Sequence, residues 1–231
     1  MPSVLITGAN RGLGLEFARQ YADDGWDVYA ASRHPTSAEQ LRGLPQQAHE
    51  RLTAIAMDVT DATGIKTAAR HLRDTAIDVL INNAGISGAG GQVTGKVDYE
   101  SWARVLDVNT MGPLRVTEAF IEQLARSDRR LVVTITSGMG SLADNTSGGS
   151  IAYRSSKAAV NMVMRSAALD LAPRGISCVV VNPGWVKTDM GGPGARLTAQ
   201  QSVAALRRLI ETFGPAHSGK FYNYDGREYP W

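Results

Sequence analysis

Short apolar runs alternate with longer, helix-like segments along most of the chain, and this alternation is the feature that most constrains the fold. The apolar runs are rich in β-branched residues and bounded by turn residues, which predicts strands buried on both faces of a sheet. Strands that alternate with helices form parallel βαβ units, so we expect an α/β fold with a doubly wound parallel sheet and helices on both faces. The predicted strands are Val4–Thr7, Val28–Ala31, Leu52–Met57, Val79–Asn82, Leu131–Thr136 and Ile176–Asn182, with a last short strand near Gly219–Tyr222. Helical periodicity is found in Leu13–Ala22, Tyr99–Leu106, Met111–Ala125, Ile151–Leu171 and Thr198–Phe213.

The composition sets limits on the class of protein. The 231 residues are enough for one large α/β domain, so we expect a single domain over residues 1–231. The net charge is +2 and the basic residues are scattered, which argues against a nucleic-acid partner. No apolar stretch is long enough to cross a membrane and no cleavable leader is recognisable, so we expect a cytoplasmic protein. The four histidines are far apart and the single cysteine, Cys178, lies in an apolar run, so we expect no metal site.

A glycine-rich turn follows the first predicted strand. The residues from Thr7 to Leu13 read Thr-Gly-Ala-Asn-Arg-Gly-Leu, and Gly14 comes next, at the start of a predicted helix. Glycines allow the backbone to turn tightly and approach a ligand, and the free amides at the start of a helix favour a pyrophosphate. The context of strand, glycine turn and helix is that of a dinucleotide-binding site, although the glycine spacing is G-x-x-x-G-x-G.

Arginines replace the acidic residue that a ribose 2′-hydroxyl prefers. The second strand leads into Ser32 and Arg33, with no carboxylate at its end, and Arg11 lies in the glycine turn. Guanidinium groups suit a 2′-phosphate. We therefore expect NADP(H) to be preferred over NAD(H).

Tyr153 and Lys157 are four residues apart in a predicted helix, so they share one face. An ammonium group near a phenol stabilises the phenolate and lowers the pKa of the tyrosine, which allows proton exchange with an alcohol or carbonyl oxygen. Ser137 follows the fifth strand, at the carboxyl edge of the predicted sheet. Its hydroxyl is expected to hold the substrate oxygen against Tyr153.

Taken in order along the chain, these motifs resemble the signature of the short-chain dehydrogenase/reductase family. They are Gly8-x-x-x-Gly12-x-Gly14, Asn82-Asn83-Ala84-Gly85, Ser137, Tyr153-x-x-x-Lys157 and Pro183-Gly184. The resemblance implies one Rossmann-type domain with about seven parallel strands. Asn10-Arg11, Ser32-Arg33 and the ending Gly219–Gly226 with Pro230-Trp231 are similar to the branch of NADPH-dependent carbonyl reductases that contains Sniffer and C-factor.

The resemblance also implies a role for each matching residue. Tyr153 is the general acid/base, Ser137 positions the substrate oxygen, Lys157 holds the nicotinamide ribose and lowers the tyrosine pKa, and Asn109 completes a proton relay through water. From the residues themselves, substrate-contacting loops are expected near residues 85–98, 138–151 and 184–197. Met139, Trp185 and Met190 would either form an apolar wall there or serve as packing residues. The expected cofactor-binding residues are Gly8, Asn10, Arg11, Gly12, Leu13, Gly14, Arg33, Asp58, Val59, Asn83, Ala84, Gly85, Tyr153, Lys157, Pro183, Gly184, Val186 and Thr188.

Several functional interpretations stay open at this stage. We expect hydride transfer between NADPH and a ketone or aldehyde, with a broad and mostly apolar substrate. The alternative is an NADP(H)-binding signalling protein of the C-factor type, in which catalysis is incidental. An epimerase or dehydratase would need a longer C-terminal part, and a methyltransferase has no need for the Tyr153–Lys157 pair. A homodimer is the expected assembly, with a tetramer as the alternative, through helices whose small residues permit close approach: Ala158, Ala159, Ala167, Ala168 and Ala172.

Overall fold

A computed structural model describes residues 1–35, residue 43 and residues 50–231 of the chain. Within these residues seven strands form one sheet in which every neighbouring pair is parallel. The order β3-β2-β1-β4-β5-β6-β7 confirms the predicted doubly wound sheet. The strands are β1 Ser3–Thr7, β2 Asp27–Ser32, β3 Leu52–Ala56, β4 Val79–Asn82, β5 Leu131–Ile135, β6 Ser177–Asn182 and β7 Phe221–Asn223.

Seven α-helices accompany the strands in the described part of the chain. They are α1 Gly12–Asp23, α2 Ala62–His71, α3 Tyr99–Leu106, α4 Gly112–Ala119, α5 Ile121–Ala125, α6 Ile151–Asp170 and α7 Ala199–Thr212. Single 3₁₀ turns occupy Gly138–Gly140, Ala172–Arg174 and Pro215–His217.

Two helical regions differ from the sequence-based expectation. Helix α2 was not predicted, because its buried face consists only of Ile65, Ala68 and Ala69 and gives a weak periodic signal. The predicted helix Met111–Ala125 is interrupted at Phe120, and a π-helical turn, Asp107–Met111, joins its beginning to α3.

The sheet is buried on both faces, as continuous apolar strands predict. Val4 and Ile6 belong to a core cluster that includes Phe17 of α1, whereas Leu5 between them belongs to a second cluster with Phe120. Because successive side chains of a strand point to opposite faces, β1 supplies both cores at once. Cys178 lies in the second cluster, and burial raises the pKa of its thiol to about 12.

This topology brings the loops that follow β1, β4, β5 and β6 to one edge of the sheet. Strand β1 is flanked by β2 on one side and β4 on the other, so the chain changes direction across the sheet between β1 and β4. A crevice outside the carboxyl ends of the strands is expected at such a point. Among the described residues, no helix combines the length and the apolar character that a membrane crossing requires.

Candidate active site

The glycine turn joins the end of β1 at Thr7 to the start of α1 at Gly12. Gly12 has a φ of 56°, a left-handed conformation that favours glycine. Gly14 is required for a different reason, since a Cβ there would overlap the carbonyl oxygen of Gly8 and lie 2.5 Å from Asn83 Nδ2. The turn is therefore fixed both by backbone conformation and by contact with the residues after β4.

Asn83 holds the glycine turn against the end of β4. Its Nδ2 donates to the main-chain oxygens of Thr7, at 2.9 Å, and Gly8, at 3.2 Å. In return, Thr7 Oγ1 accepts from the main-chain amides of Asn83 and Ala84, at 3.0 and 3.1 Å. The side chain of Asn83 thus shapes the turn through hydrogen bonds within the protein.

Charged residues at the ends of β2 and β3 surround the expected adenosine position. Arg33 is exposed, and its positive charge acts on the carboxylate of Asp58. Burial acts to raise the pKa of Asp58, but hydrogen bonds from the main chain and hydroxyl of Thr60, together with Arg33, hold it below its usual value. Ser32 Oγ is buried without a hydrogen-bond partner among the described residues.

Arg11 of the glycine turn forms an ion pair that the sequence did not indicate. Its Nη1 lies 2.7 Å from Asp189 Oδ2, and both side chains are largely exposed. Exposed pairs of this kind contribute only about 0–1 kcal/mol. An anion of higher charge could therefore replace Asp189 at little cost.

Ser137 and Tyr153 are brought together by β5 and α6. Ser137 lies two residues beyond β5, and its Oγ accepts from the main-chain amide of Met139 at 3.1 Å. Tyr153 lies in the first turn of α6, where its phenol is close enough to the Ser137 hydroxyl for that hydroxyl to act on its pKa. Burial raises the pKa of Tyr153, and the Ser137 hydroxyl opposes this rise without cancelling it.

Lys157 lies one turn further along α6, deep in the protein. It is 5% exposed, and its Nζ donates to the main-chain oxygen of Ile135 at 2.9 Å. Burial lowers the pKa of this ammonium to about 8. The Nζ atom lies 5.8 Å from the centre of the Tyr153 ring, and the raised pKa of Tyr153 contrasts with the lowering that Lys157 was expected to cause.

Asn109 lies inside the π-helical turn and fixes the loop after β4. Its Oδ1 accepts from the main-chain amide of Ile86 at 2.8 Å, and its Nδ2 donates to the oxygen of Ile86 at 2.8 Å and to Ser156 Oγ at 3.0 Å. A Cβ on Gly85 would lie 3.3 Å from Asn109 Oδ1 and 3.7 Å from Lys157 Nζ. Gly85, Asn109 and Lys157 therefore meet at one point of the crevice.

The loop after β6 folds back towards the glycine turn. Pro183 is held through its main-chain oxygen by Ser202 Oγ of α7, at 2.7 Å, and Gly184 donates its amide to Asn182 Oδ1 at 3.2 Å. A Cβ on Gly12 would lie 3.5 Å from Thr188 Cγ2, which places Thr188 over the turn. Val186 is buried and pairs with Leu197 in a short parallel bridge.

A cavity of about 370 Å³ opens beside this loop. Its wall comes close to Gly138, the residue after Ser137, because Tyr229 lies on this wall and the hydroxyl of Tyr229 would be only 2.9 Å from a Cβ on Gly138. Of the residues expected to form an apolar wall, Trp185 lines this cavity. Arg196 falls within the substrate loop predicted near residues 184–197, although the sequence did not single it out. Sequence reasoning missed Arg227 and Tyr229, since neither stands in a recognisable motif. The lining consists of Asn182, Gly184, Trp185, Arg196, Leu197, Asn223, Tyr224, Arg227 and Tyr229.

Comparison with known proteins gives the family. Residues 2–196 match the family model of the short chain dehydrogenases. The chain is 52% identical over 155 residues to C-signal of Myxococcus xanthus, a match that covers 67% of this chain and 93% of that protein. The structure of the carbonyl reductase Sniffer of D. melanogaster superposes with a TM-score of 0.92 at 31% identity and covers 100% of both chains. The NADPH-bound carbonyl reductase from chicken fatty liver gives a TM-score of 0.90 at 32% identity, over 100% of this chain and 99% of that one. The chain therefore belongs to the short-chain dehydrogenase/reductase family, in the branch that contains carbonyl reductases, Sniffer and C-signal.

Proposed function

We propose that this protein is an NADPH-dependent reductase of ketones or aldehydes, with Tyr153 as the general acid. The observation that carries the proposal is that the Ser137 hydroxyl and the Tyr153 phenol lie close together, with the Lys157 ammonium beside them. Two hydroxyls at the rim of the sheet can both donate to one carbonyl oxygen, which is the group that gains negative charge when hydride arrives. The raised pKa of Tyr153 keeps its phenol protonated at neutral pH, as an acid for reduction must be.

The residues present fit a nicotinamide dinucleotide. The free amides at the start of α1 can donate to a pyrophosphate. The absence of a side chain at Gly14 lets the glycine turn pack closely at this point. The Lys157 ammonium has three donors, and the described residues supply one acceptor, Ile135 O, so two donors are left for ribose hydroxyls. When bound, the cofactor supplies the hydride.

The chain's own residues then have separate tasks. Ser137 orients the substrate oxygen, and Tyr153 gives it a proton. Lys157 holds the ribose and replaces the lost proton through the relay. Because both ends of the Asn109 amide are engaged by Ile86 and Ser156, we propose that Asn109 serves the relay through its main-chain carbonyl in the π turn.

Arginines support a preference for NADPH over NADH. Arg33 is exposed at the end of β2, next to the buried Ser32 Oγ, which has no hydrogen-bond partner among the residues that the structure describes. Within residues 1–35 and 50–231, the Arg11 side chain is held by its exposed ion pair with Asp189 alone. We propose that these groups bind the 2′-phosphate, with Asp189 giving way to it.

The test is an NADPH oxidation assay with a panel of aromatic and aliphatic ketones, aldehydes and quinones. The loss of NADPH absorbance measures the rate. Tyr153→Phe keeps the ring and removes the acid, so the rate should fall by about 10²–10⁴-fold while NADPH binding is kept. The exposed Tyr99→Phe is the matched control and should keep the full rate. Equal rates for Tyr153→Phe and the wild type would overturn the assignment of the acid.

A second candidate is an NADP(H)-binding signalling protein, favoured by the 52% identity with C-signal. The two candidates differ in which residues the biological role requires. Complementation of a deletion strain separates them. If the role is signalling, the Tyr153→Phe variant should complement the strain and the Gly14→Ala variant should not. If the role depends on reductase activity, neither variant should complement it.

We also propose a homodimer through the outward face of α6. The predicted contact residues Ala167 and Ala168 are buried inside the subunit, whereas Met162 and Leu169 are 65% and 73% exposed. A two-fold axis would bury these side chains against their own copies. Light scattering should give twice the mass of one chain for the wild type and the mass of a single chain for Met162→Glu. A mass of four chains would indicate the tetramer.

A further inference from the structure

The cavity beside the loop after β6 has an unbalanced positive charge. Two arginines, Arg196 and Arg227, line it, and among the described residues no acidic side chain does. The two arginines are not equivalent. Arg227 is neutralised by Asp225, with contacts of 2.8 and 3.0 Å between its guanidinium and Asp225 Oδ2.

Arg196 differs in this respect. No hydrogen bond or ion pair joins its side chain to any residue in the described part of the chain. The main chain of the next residue, Leu197, is held on both sides: its amide donates to Trp185 O at 3.1 Å, and its oxygen accepts from the amide of Lys187 at 2.8 Å. A fixed backbone thus presents an uncompensated guanidinium to the cavity.

The wall of the cavity comes close to the residue that follows Ser137. Tyr229 lies on its wall and against Gly138, the residue after Ser137. Gly184, at the start of the loop after β6, is also part of the wall, and a Cβ on it would lie 2.7 Å from Leu197 Cδ1. Tyr229 therefore links the neighbourhood of Ser137 to the wall that also holds Arg196.

We propose that the substrate is a carbonyl compound with a carboxylate, and that Arg196 selects it by binding that carboxylate. Guanidinium and carboxylate match in charge and in planar hydrogen-bonding geometry. The aromatic side chains Trp185, Tyr224 and Tyr229 give the cavity flat surfaces for the body of the molecule. The inference rests on the proposed reductase function and names its substrate class.

The test compares each carboxylate with its own methyl ester at two lengths: 4-formylbenzoate and 4′-formylbiphenyl-4-carboxylate, each with NADPH. The wild type should prefer at least one acid over its ester in kcat/KM. Arg196→Met should lower kcat/KM for that acid about tenfold and change the ester less than twofold. Arg227→Met should have a smaller effect because Asp225 already holds that guanidinium. Arg208→Met, an exposed arginine of α7, is the control of equal charge and should change neither.

Two results would overturn the selection of a carboxylate. One is an acid-to-ester ratio that Arg196→Met leaves unchanged at both lengths. The other is an equal loss with acid and ester together with a raised KM for NADPH, which would assign Arg196 to the cofactor. If no aldehyde is reduced, the reductase function fails, and calorimetry with biphenyl-4-carboxylate decides the anion site separately. Binding that Arg196→Met weakens supports the site, and binding that it leaves unchanged overturns it.

Discussion

Lys157 Nζ donates a 2.9 Å hydrogen bond to the main-chain oxygen of Ile135, the last residue of β5. This bond ties α6 to the strand that leads to Ser137. It also places a cation where water is excluded, since Lys157 is almost fully buried. The site therefore contains a charge whose burial costs free energy in the folded protein.

We predict that Lys157→Met makes the folded protein more stable at pH 7. Burial lowers the pKa of Lys157 to about 8, from a usual value of 10.5. This shift corresponds to a folding cost on the order of 3 kcal/mol for the wild type at neutral pH, which Lys157→Met removes. The variant also loses the hydrogen bond to Ile135, which reduces its gain by about 1 kcal/mol. Urea unfolding at pH 7 should show the gain.

The sign of the pH dependence follows from the same shift. Between about pH 8 and 10.5 the unfolded chain keeps the proton that the folded chain has lost, so the stability of the wild type rises with pH in this window. The advantage of Lys157→Met should shrink there by the same amount. Lys66→Met, at an exposed position of α2, is the control and should follow the wild type. Parallel profiles for wild type and Lys157→Met would contradict the prediction.

The parts of the fold that sequence predicts well are those with a strong local signal. Strand β1 and the glycine turn were predicted because buried strands are continuous in apolar residues and tight turns need glycine. Helix α2 was missed because small residues such as Ala68 and Ala69 form most of its buried face. Small residues give only a weak hydrophobic periodicity in the sequence.

The candidate site divides in the same way. Ser137, Tyr153 and Lys157 belong to a family motif, and the structure places them together. The pairing of Arg11 with Asp189 and the position of Arg196 on the cavity depend on how distant segments fold back. Residues of this kind have no local pattern, so only the three-dimensional arrangement identifies them.

The two glycines of the turn should respond differently to alanine. Gly14→Ala forces a Cβ into the carbonyl of Gly8, which must move together with Asn83, so we expect lost NADPH binding and a destabilisation of about 1–3 kcal/mol. For Gly12→Ala, no described atom lies closer than 3.5 Å to the added Cβ, so we expect the cost to come from the φ of 56°, at about 1–2 kcal/mol. Calorimetric titration with NADPH and thermal unfolding measure both effects. Stronger binding loss for Gly12→Ala would contradict the steric argument.

The arginines should separate the two nicotinamide cofactors. Arg33→Ala should raise the KM for NADPH by about 10–100-fold and leave the KM for NADH nearly unchanged, because only NADPH has a 2′-phosphate. Asp189→Asn should lower the KM for NADPH, since it frees Arg11 from its ion pair. Steady-state kinetics with each cofactor measure the ratio. A loss with Arg33→Ala that is equal for both cofactors would exclude a role in their discrimination.

The C-terminal segment is bound to the loop that follows Ser137. The main-chain oxygen of Trp231 accepts from the amides of Leu142 and Ala143, at 2.8 and 2.9 Å, and from Ser141 Oγ at 3.1 Å. Tyr229 Oη donates to Asp144 Oδ2 at 2.7 Å, a bond that raises the pKa of Tyr229 to about 12. We infer that this segment holds the loop in place for the substrate.

Tyr229→Phe removes the hydroxyl and keeps the ring, so we expect a loss of about 1 kcal/mol in stability and a several-fold rise in KM for the carbonyl substrate. The KM for NADPH should stay constant, because the glycine turn lies elsewhere. Hydrogen exchange of the peptide around Leu142 should become faster, since its amide depends on the same segment. Asp144→Asn keeps a weaker acceptor for the phenol of Tyr229. Its stability, its KM for the carbonyl substrate and its exchange rate should lie between those of the wild type and Tyr229→Phe. Unchanged exchange and KM in both variants would show that the loop keeps its position without the hydrogen bond from Tyr229.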